Sequence, residues 1–158
     1  MSFYLIAFGV ILLDRLTKLL IIQNLRVGQG MPVVPGFFDI VFVLNPGAAF
    51  GFLATLSDEV RNPLFILISI LAVILILFYH NRYLRSQRLV SVALGLVLGG
   101  ALGNLIDRVH YGMVVDFLDV HVGVYHWPAF NVADSAISIG VSLMILDMLL
   151  EWLRERQK

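Results

Sequence analysis

Residues Leu89–Ile106 read LVSVALGLVLGGALGNLI, with no charge between Arg88 and Asp107. A helix rises about 1.5 Å per residue, so roughly 20 apolar residues cross the hydrocarbon core of a bilayer. Gly95, Gly99 and Gly103 recur every four positions, with Gly100 beside them. That spacing puts small residues on one helix face, where a neighbouring backbone can approach closely. The stretch predicts a membrane-spanning helix with one face suited to close helix packing.

Three further runs have the same character: about Phe3–Ile22, Pro63–Tyr79 and Phe130–Leu150. The second is short for a span, and its start is marked by Asn62 as a cap and Pro63 at the first helical position. The first run has neither a basic leader nor a small-residue cleavage site, so it reads as a retained span. Composition agrees: the 158 residues are 59% hydrophobic and 14% charged, with mean hydropathy +0.91. A soluble chain is about half apolar and about a quarter charged. The expectation is one membrane domain, 1–158, built on four transmembrane helices.

The 11 basic and 11 acidic residues cancel, so nothing favours nucleic acid as a partner. The absence of cysteine excludes disulfides, thiol nucleophiles and thiolate metal sites. Arg82, Arg85 and Arg88 crowd the turn 80–88, and Arg154, Arg156 and Lys158 the tail. Positive residues mark the cytoplasmic side. Both termini then face the cytoplasm, and 23–62 and 107–129 lie outside. In the first outer segment, Phe37–Leu44 is β-branched and aromatic between Pro35-Gly36 and Asn45-Pro46-Gly47, a strand signal. Ala48–Leu53 is small and apolar, as in a short interfacial helix. A small sheet on the outer (periplasmic) surface follows.

Asp116 and Asp134 stand at the edges of apolar runs near that outer side. A carboxylate at hydrocarbon is costly and marks a functional site. The alternative is that each is a cap or headgroup-level residue. Asn104 and Arg108 share a helix face. Arg108 either snorkels to headgroups or holds a polar substrate group with its fork of donors. Asp14 and Lys18 stand four apart in the order that favours an intrahelical pair, and Arg15 is a second possible partner for Asp14. Asn45 is a turn residue or an amide aimed into a site. Ser135, Ser138 and Ser142 fit helix packing. His110, His121 and His126 lack the i, i+4 spacing of a zinc-binding helix, and read as interfacial. Tyr125 and Trp127 fit an aromatic belt.

Five short motifs occur in order: Asp14-x-x-x-Lys18, Asn45-Pro-Gly-Ala-Ala-Phe50, Gly99-Gly-Ala-Leu-Gly-Asn-Leu-Ile-Asp-Arg108, Val115-Asp-Phe117 and Phe130-Asn-Val-Ala-Asp-Ser135. With them the chain resembles the lipoprotein signal peptidases (signal peptidase II), bacterial integral-membrane aspartic peptidases. Gly51 departs locally from a position where serine is common.

The resemblance implies that Asp116 and Asp134 are a catalytic pair, and that Asn45, Gly100, Asn104, Arg108 and Asn131 line the substrate site. Asp14 and Lys18 are then structural or site-supporting. It implies a diacylglyceryl-modified prolipoprotein as substrate, cut just before the modified cysteine. No metal or cofactor is required, and the setting is the bacterial inner membrane. The sheet and Ala48–Leu53 would cover a site opening sideways to the outer leaflet. Two rival readings use the same residues: a proton-coupled transporter or channel relaying through Asp14, Asp116 and Asp134, and a scaffold subunit packed on the glycine face.

Overall fold

The computed structural model describes residues 2–47, 56–83 and 88–156. The expected helix at Ala48–Leu53 and part of the basic turn lie outside them. Four long helices, α1 (Ser2–Asn24), α2 (Asp58–Tyr83), α3 (Arg88–Tyr111) and α4 (Val132–Arg156), alternate with four strands, β1 (Gly30–Val34), β2 (Phe38–Asn45), β3 (Val114–Val122) and β4 (Tyr125–His126). Among the described residues, α2, α3 and α4 are long and apolar enough to cross a membrane. α1 has the length but carries Asp14, Arg15 and Lys18 in its second half.

α2 starts five residues before the expected Pro63. The carbonyl of Ser57 accepts from the amides of Val60 and Arg61, and Asp58 and Glu59 place negative charge on the helix's positive end. Pro63 sits inside the helix, where its missing N–H forfeits one bond. Asn62 is not the cap; its amide donates to the Arg108 carbonyl at 3.3 Å, tying α2 to the end of α3.

α3 is the central helix, as its glycines require. A Cβ on Gly95 would stand 2.8 Å from the Phe3 carbonyl oxygen, and one on Gly99 2.8 Å from that of Ala7. Gly140 of α4 approaches α3 in the same way, 2.6 Å from the Ala93 carbonyl oxygen. The outward faces of the other helices are apolar, with Phe8, Leu75 and Met148 each more than 60% exposed, which suits contact with lipid. Ser138 and Ser142 lie on an exposed face of α4, and Ser142 bonds back to the Ser138 carbonyl, so they do not pack helices here.

The sheet is antiparallel, in the order β1-β2-β3-β4. It therefore draws on both 23–62 and 107–129, not on the first alone. β3 was not anticipated, although VVDFLDVHV is β-branched and aromatic enough to have revealed it. At the β3–β4 end, His121 and His126 stack at 4.5 Å. His126 lies 2.9 Å from Asp119 and His121 3.4 Å from Asp39.

Candidate active site

Asp116 reaches the site from β3, and two features of the sheet aim the groups around it. In β2 a bulge falls between Ile40, paired with Leu118, and Val43, paired with Asp116. Side chains alternate faces along a strand, so one inserted residue reverses every side chain beyond it. Without the bulge Leu44 would share the face of Asp116. With it Asn45 does, and its amide donates to Asp116 Oδ2 at 2.8 Å. Oδ1 of Asn45 accepts from the Gly47 amide at 2.8 Å, which fixes the amide's orientation. Beyond β4, Phe130 pairs with Leu118, bringing the start of α4 back against β3.

That return delivers Asn131. Its Oδ1 accepts from the Asp134 amide at 2.9 Å, while Asp134 Oδ2 accepts from the Asn131 amide at 3.2 Å. This is a reciprocal N-terminal box, satisfying amides that the first turn leaves free. Asn131 Nδ2 donates to Asp116 Oδ1 at 2.7 Å. One buried asparagine thus touches both carboxyl groups. From α3, Asn104 Nδ2 donates to Asp134 Oδ1 at 2.7 Å. Each of the four carboxyl oxygens meets one donor, leaving lone pairs for a water or a shared proton. Asp134 is both a capping residue and half of this pair, so the two alternatives for it coincide.

Asp116 is almost fully buried. Burial, and then the nearby charge of Asp134, push its carboxyl up from 3.8 to about 7, against the donors on Asn45 and Asn131 and the charge of Lys18.

Beneath the pair lies a charged cluster. Lys18 and Asp14 pair at 2.9 Å, and both are wholly buried. Lys18 also meets Asp107 at 2.8 Å and Asn104 Oδ1 at 3.0 Å. The ammonium thus donates to the Asn104 amide oxygen and is ion-paired with both carboxylates. Because Lys18 holds Asn104 by its oxygen, the nitrogen of that amide must face Asp134. Asp14 Oδ1 accepts from the Ala133 amide at 3.1 Å, and Asp107 Oδ2 from the Val115 amide at 3.2 Å. The cluster grips the residues just before both aspartates. Arg15 closes it through Asp107 and lies 3.8 Å from Asp14. Asp107 was not singled out as a site residue, though its spacing from Gly103 and Asn104 put it on their face.

Gly100, expected to line the substrate site, faces α4. A Cβ there would stand 2.3 Å from the Ala133 carbonyl oxygen and 2.7 Å from Ile137 Cγ1. Gly100→Ala must push α3 from α4 and stretch the Asn104–Asp134 bond. The expected loss is about 1–3 kcal/mol, from overpacking, with lower activity, read by thermal unfolding in detergent and turnover. Gly9→Ala, where a Cβ meets nothing within 4 Å, is the control and should change neither. Arg108 does not reach outward: its guanidinium lies over the Phe65 ring of α2, 4.4 Å from the centroid. Among the described residues, no group of three or more His, Asp or Glu is arranged to hold a metal ion.

Residues 6–150 match the family model described as signal peptidase (SPase) II. The chain is 54% identical over 142 residues to the lipoprotein signal peptidase of Syntrophotalea carbinolica, covering 90% of this chain and 87% of that one. It is 48% identical over 153 residues to that of Geobacter sulfurreducens, covering 97% and 92%. A bacterial membrane enzyme solved at 1.9 Å by the in meso method superposes with a TM-score of 0.84 at 37% identity, covering 94% of this chain and 92% of that one. A second, solved at 2.3 Å, gives 0.85 at 35% identity, covering 99% and 93%. Fold and relatives together define a multi-pass membrane peptidase. The chain belongs to the signal peptidase II family.

Proposed function

We propose that this peptidase removes the signal peptide from diacylglyceryl-modified prolipoproteins, cutting just before the lipid-modified cysteine, with Asp116 and Asp134 as its catalytic pair. The observation that carries the assignment is the double grip of Asn131, which bonds both carboxyl groups. The ionised member removes a proton from water as the water oxygen attacks the scissile carbonyl carbon. The neutral member protonates the carbonyl oxygen. Collapse of the tetrahedral intermediate breaks the C–N bond, and the proton passes to the amine of the departing cysteine. Asn45, Asn104 and Asn131 hold the two carboxyls in place, which supplies positioning. Arg108 takes a peptide carbonyl of the substrate. No metal enters the scheme.

In this reading α1 is a fourth span, its charges satisfied within the bundle. Both termini are cytoplasmic, and the sheet lies at the outer surface of the inner membrane. The acids gather in one connected cluster with the sheet instead of forming a path through the bundle, which disfavours a proton relay.

The neutral member is assigned to Asp116. Two coupled acids titrate as a pair, and the pair keeps its proton up to about pH 7, where Asp116 ionises. The expected kcat/KM therefore falls as pH rises above about 7. Folding stability moves in the same sense. The folded chain holds a proton that the unfolded chain loses near 3.8, so this contribution, complete below 3.8, is lost as pH rises towards 7. Asp116→Asn should remove that slope from the pH profile of unfolding. A profile with the same slope in wild type and variant would refute the assignment.

A further inference from the structure

Arg108 lies against an aromatic ring, that of Phe65. Phe65 lies in the second turn of α2, outside the motifs of the sequence. Its ring is fixed on two sides. On one, the guanidinium carbon of Arg108 lies 4.4 Å from the ring centroid. On the other is Gly47, at the end of the Asn45-Pro46-Gly47 turn. A Cβ on Gly47 would stand 2.3 Å from Phe65 Cε2, and the residue has φ +95°. Only glycine combines that conformation with that proximity. The same helix is fastened nearby, through the Asn62 side-chain amide to the Arg108 carbonyl.

Among the described residues, Nη1 of Arg108 is buried with no hydrogen-bond partner. A buried guanidinium N–H without an acceptor is costly. It is explained if the acceptor arrives with the substrate. A flexible arginine beside two carboxyl groups would otherwise turn toward them, and a ring face beneath the guanidinium carbon opposes that turn by cation–π attraction.

We propose that Phe65 is a positioning residue, the seat that holds the Arg108 guanidinium over its ring and its Nη1 free for a peptide carbonyl of the substrate. This rests on the reading of Arg108 given above. The hold exists before substrate binds and persists through the reaction, so it acts on binding and not on the chemical step.

The test is steady-state cleavage of a lipid-modified precursor by the full-length enzyme in detergent. Phe65→Leu, which keeps an apolar side chain but removes the ring face, is expected to raise KM about tenfold with kcat nearly unchanged. Phe65→Tyr, which keeps the face, should retain the wild-type KM. Arg108→Gln should raise KM by itself, and Phe65→Leu added to it should have no further effect. If Phe65→Leu leaves KM unchanged, or if its effect is as large in the Arg108→Gln background, the seat is refuted while the role of Arg108 stands. If Arg108→Gln leaves KM unchanged, the role of Arg108 fails, and the seat with it. Should leucine at 65 prevent folding, a ring-fluorinated phenylalanine there keeps the volume and withdraws charge from the face. A raised KM then supports the seat, and an unchanged one overturns it.

Discussion

Asp134→Asn and Asp116→Asn each reduce kcat for cleavage of a lipid-modified precursor by at least ~10³, within the roughly 10²–10⁴ that proton transfer by a positioned group contributes. The amide has nearly the shape of the carboxyl group but neither gives up nor takes a proton at working pH. The fold should survive both changes. Asparagine at 134 retains an oxygen to accept from the Asn131 amide, so the helix start remains capped, although Asn104 Nδ2 loses its acceptor there. At 116 the substitution removes a group whose ionised form burial disfavours, although one of the two amides that donate to it loses its acceptor. Measured together, turnover should vanish while the protein stays folded, with a loss of at most about 1–3 kcal/mol for the donor left without an acceptor. Cleavage persisting within tenfold of wild type in either variant would refute the pair.

Lys18→Met is expected to destabilise the protein by about 3–5 kcal/mol, the range for removing one partner of a buried ion pair. Methionine matches the length of lysine and suits a membrane helix by composition, so hydropathy alone forecasts no harm or a gain. The structure forecasts the opposite. Asp14 and Asp107 are wholly buried, and Lys18 lies against both. Arg15 still reaches Asp107 but stands 3.8 Å from Asp14. The Asp14 carboxylate would be left without its near cation. Asn104 would also lose the contact that holds its oxygen, so turnover should fall with stability. A second variant, Lys18→Met with Asp14→Asn, should recover part of the stability and less of the activity. If Lys18→Met unfolds within half a kcal/mol of wild type, as an exposed pair would allow, the cluster is not what holds α1 against α3.

Much of the architecture was legible because it depends on local chemistry. Hydrophobic length marked the starts of α1, α3 and α4 to within two residues, although α3 and α4 run five and six residues past the expected ends, and the glycine spacing marked a close-packing face on α3. The strand Phe37–Leu44 was readable from its β-branched run. The start of α2 was misplaced because proline at a first helical position is a preference that an acidic first turn can override. β3 was passed over because two aspartates interrupt its apolar pattern.

The site divides in the same way. Asp14 and Lys18 could be paired by helical spacing, and the capping box of Asn131 and Asp134 was present in the order of the residues. Asp116 and Asp134 were conspicuous as charges beside apolar runs, and the family motifs named them. None of this says what a side chain faces across space. Whether Asn45 turns toward Asp116 depends on a single inserted residue in β2. Whether Gly100 lines a site or a helix contact depends on where Ala133 falls. The union of Lys18 with Asp107, and of Arg108 with Phe65, joins residues from different helices.

By itself, then, the sequence determined that this chain packs apolar helices through small residues and belongs among membrane peptidases, because length, periodicity and residue type act locally. Only the tertiary structure decided which donor meets each carboxyl oxygen, because register and helix contact are set by groups far apart in the chain.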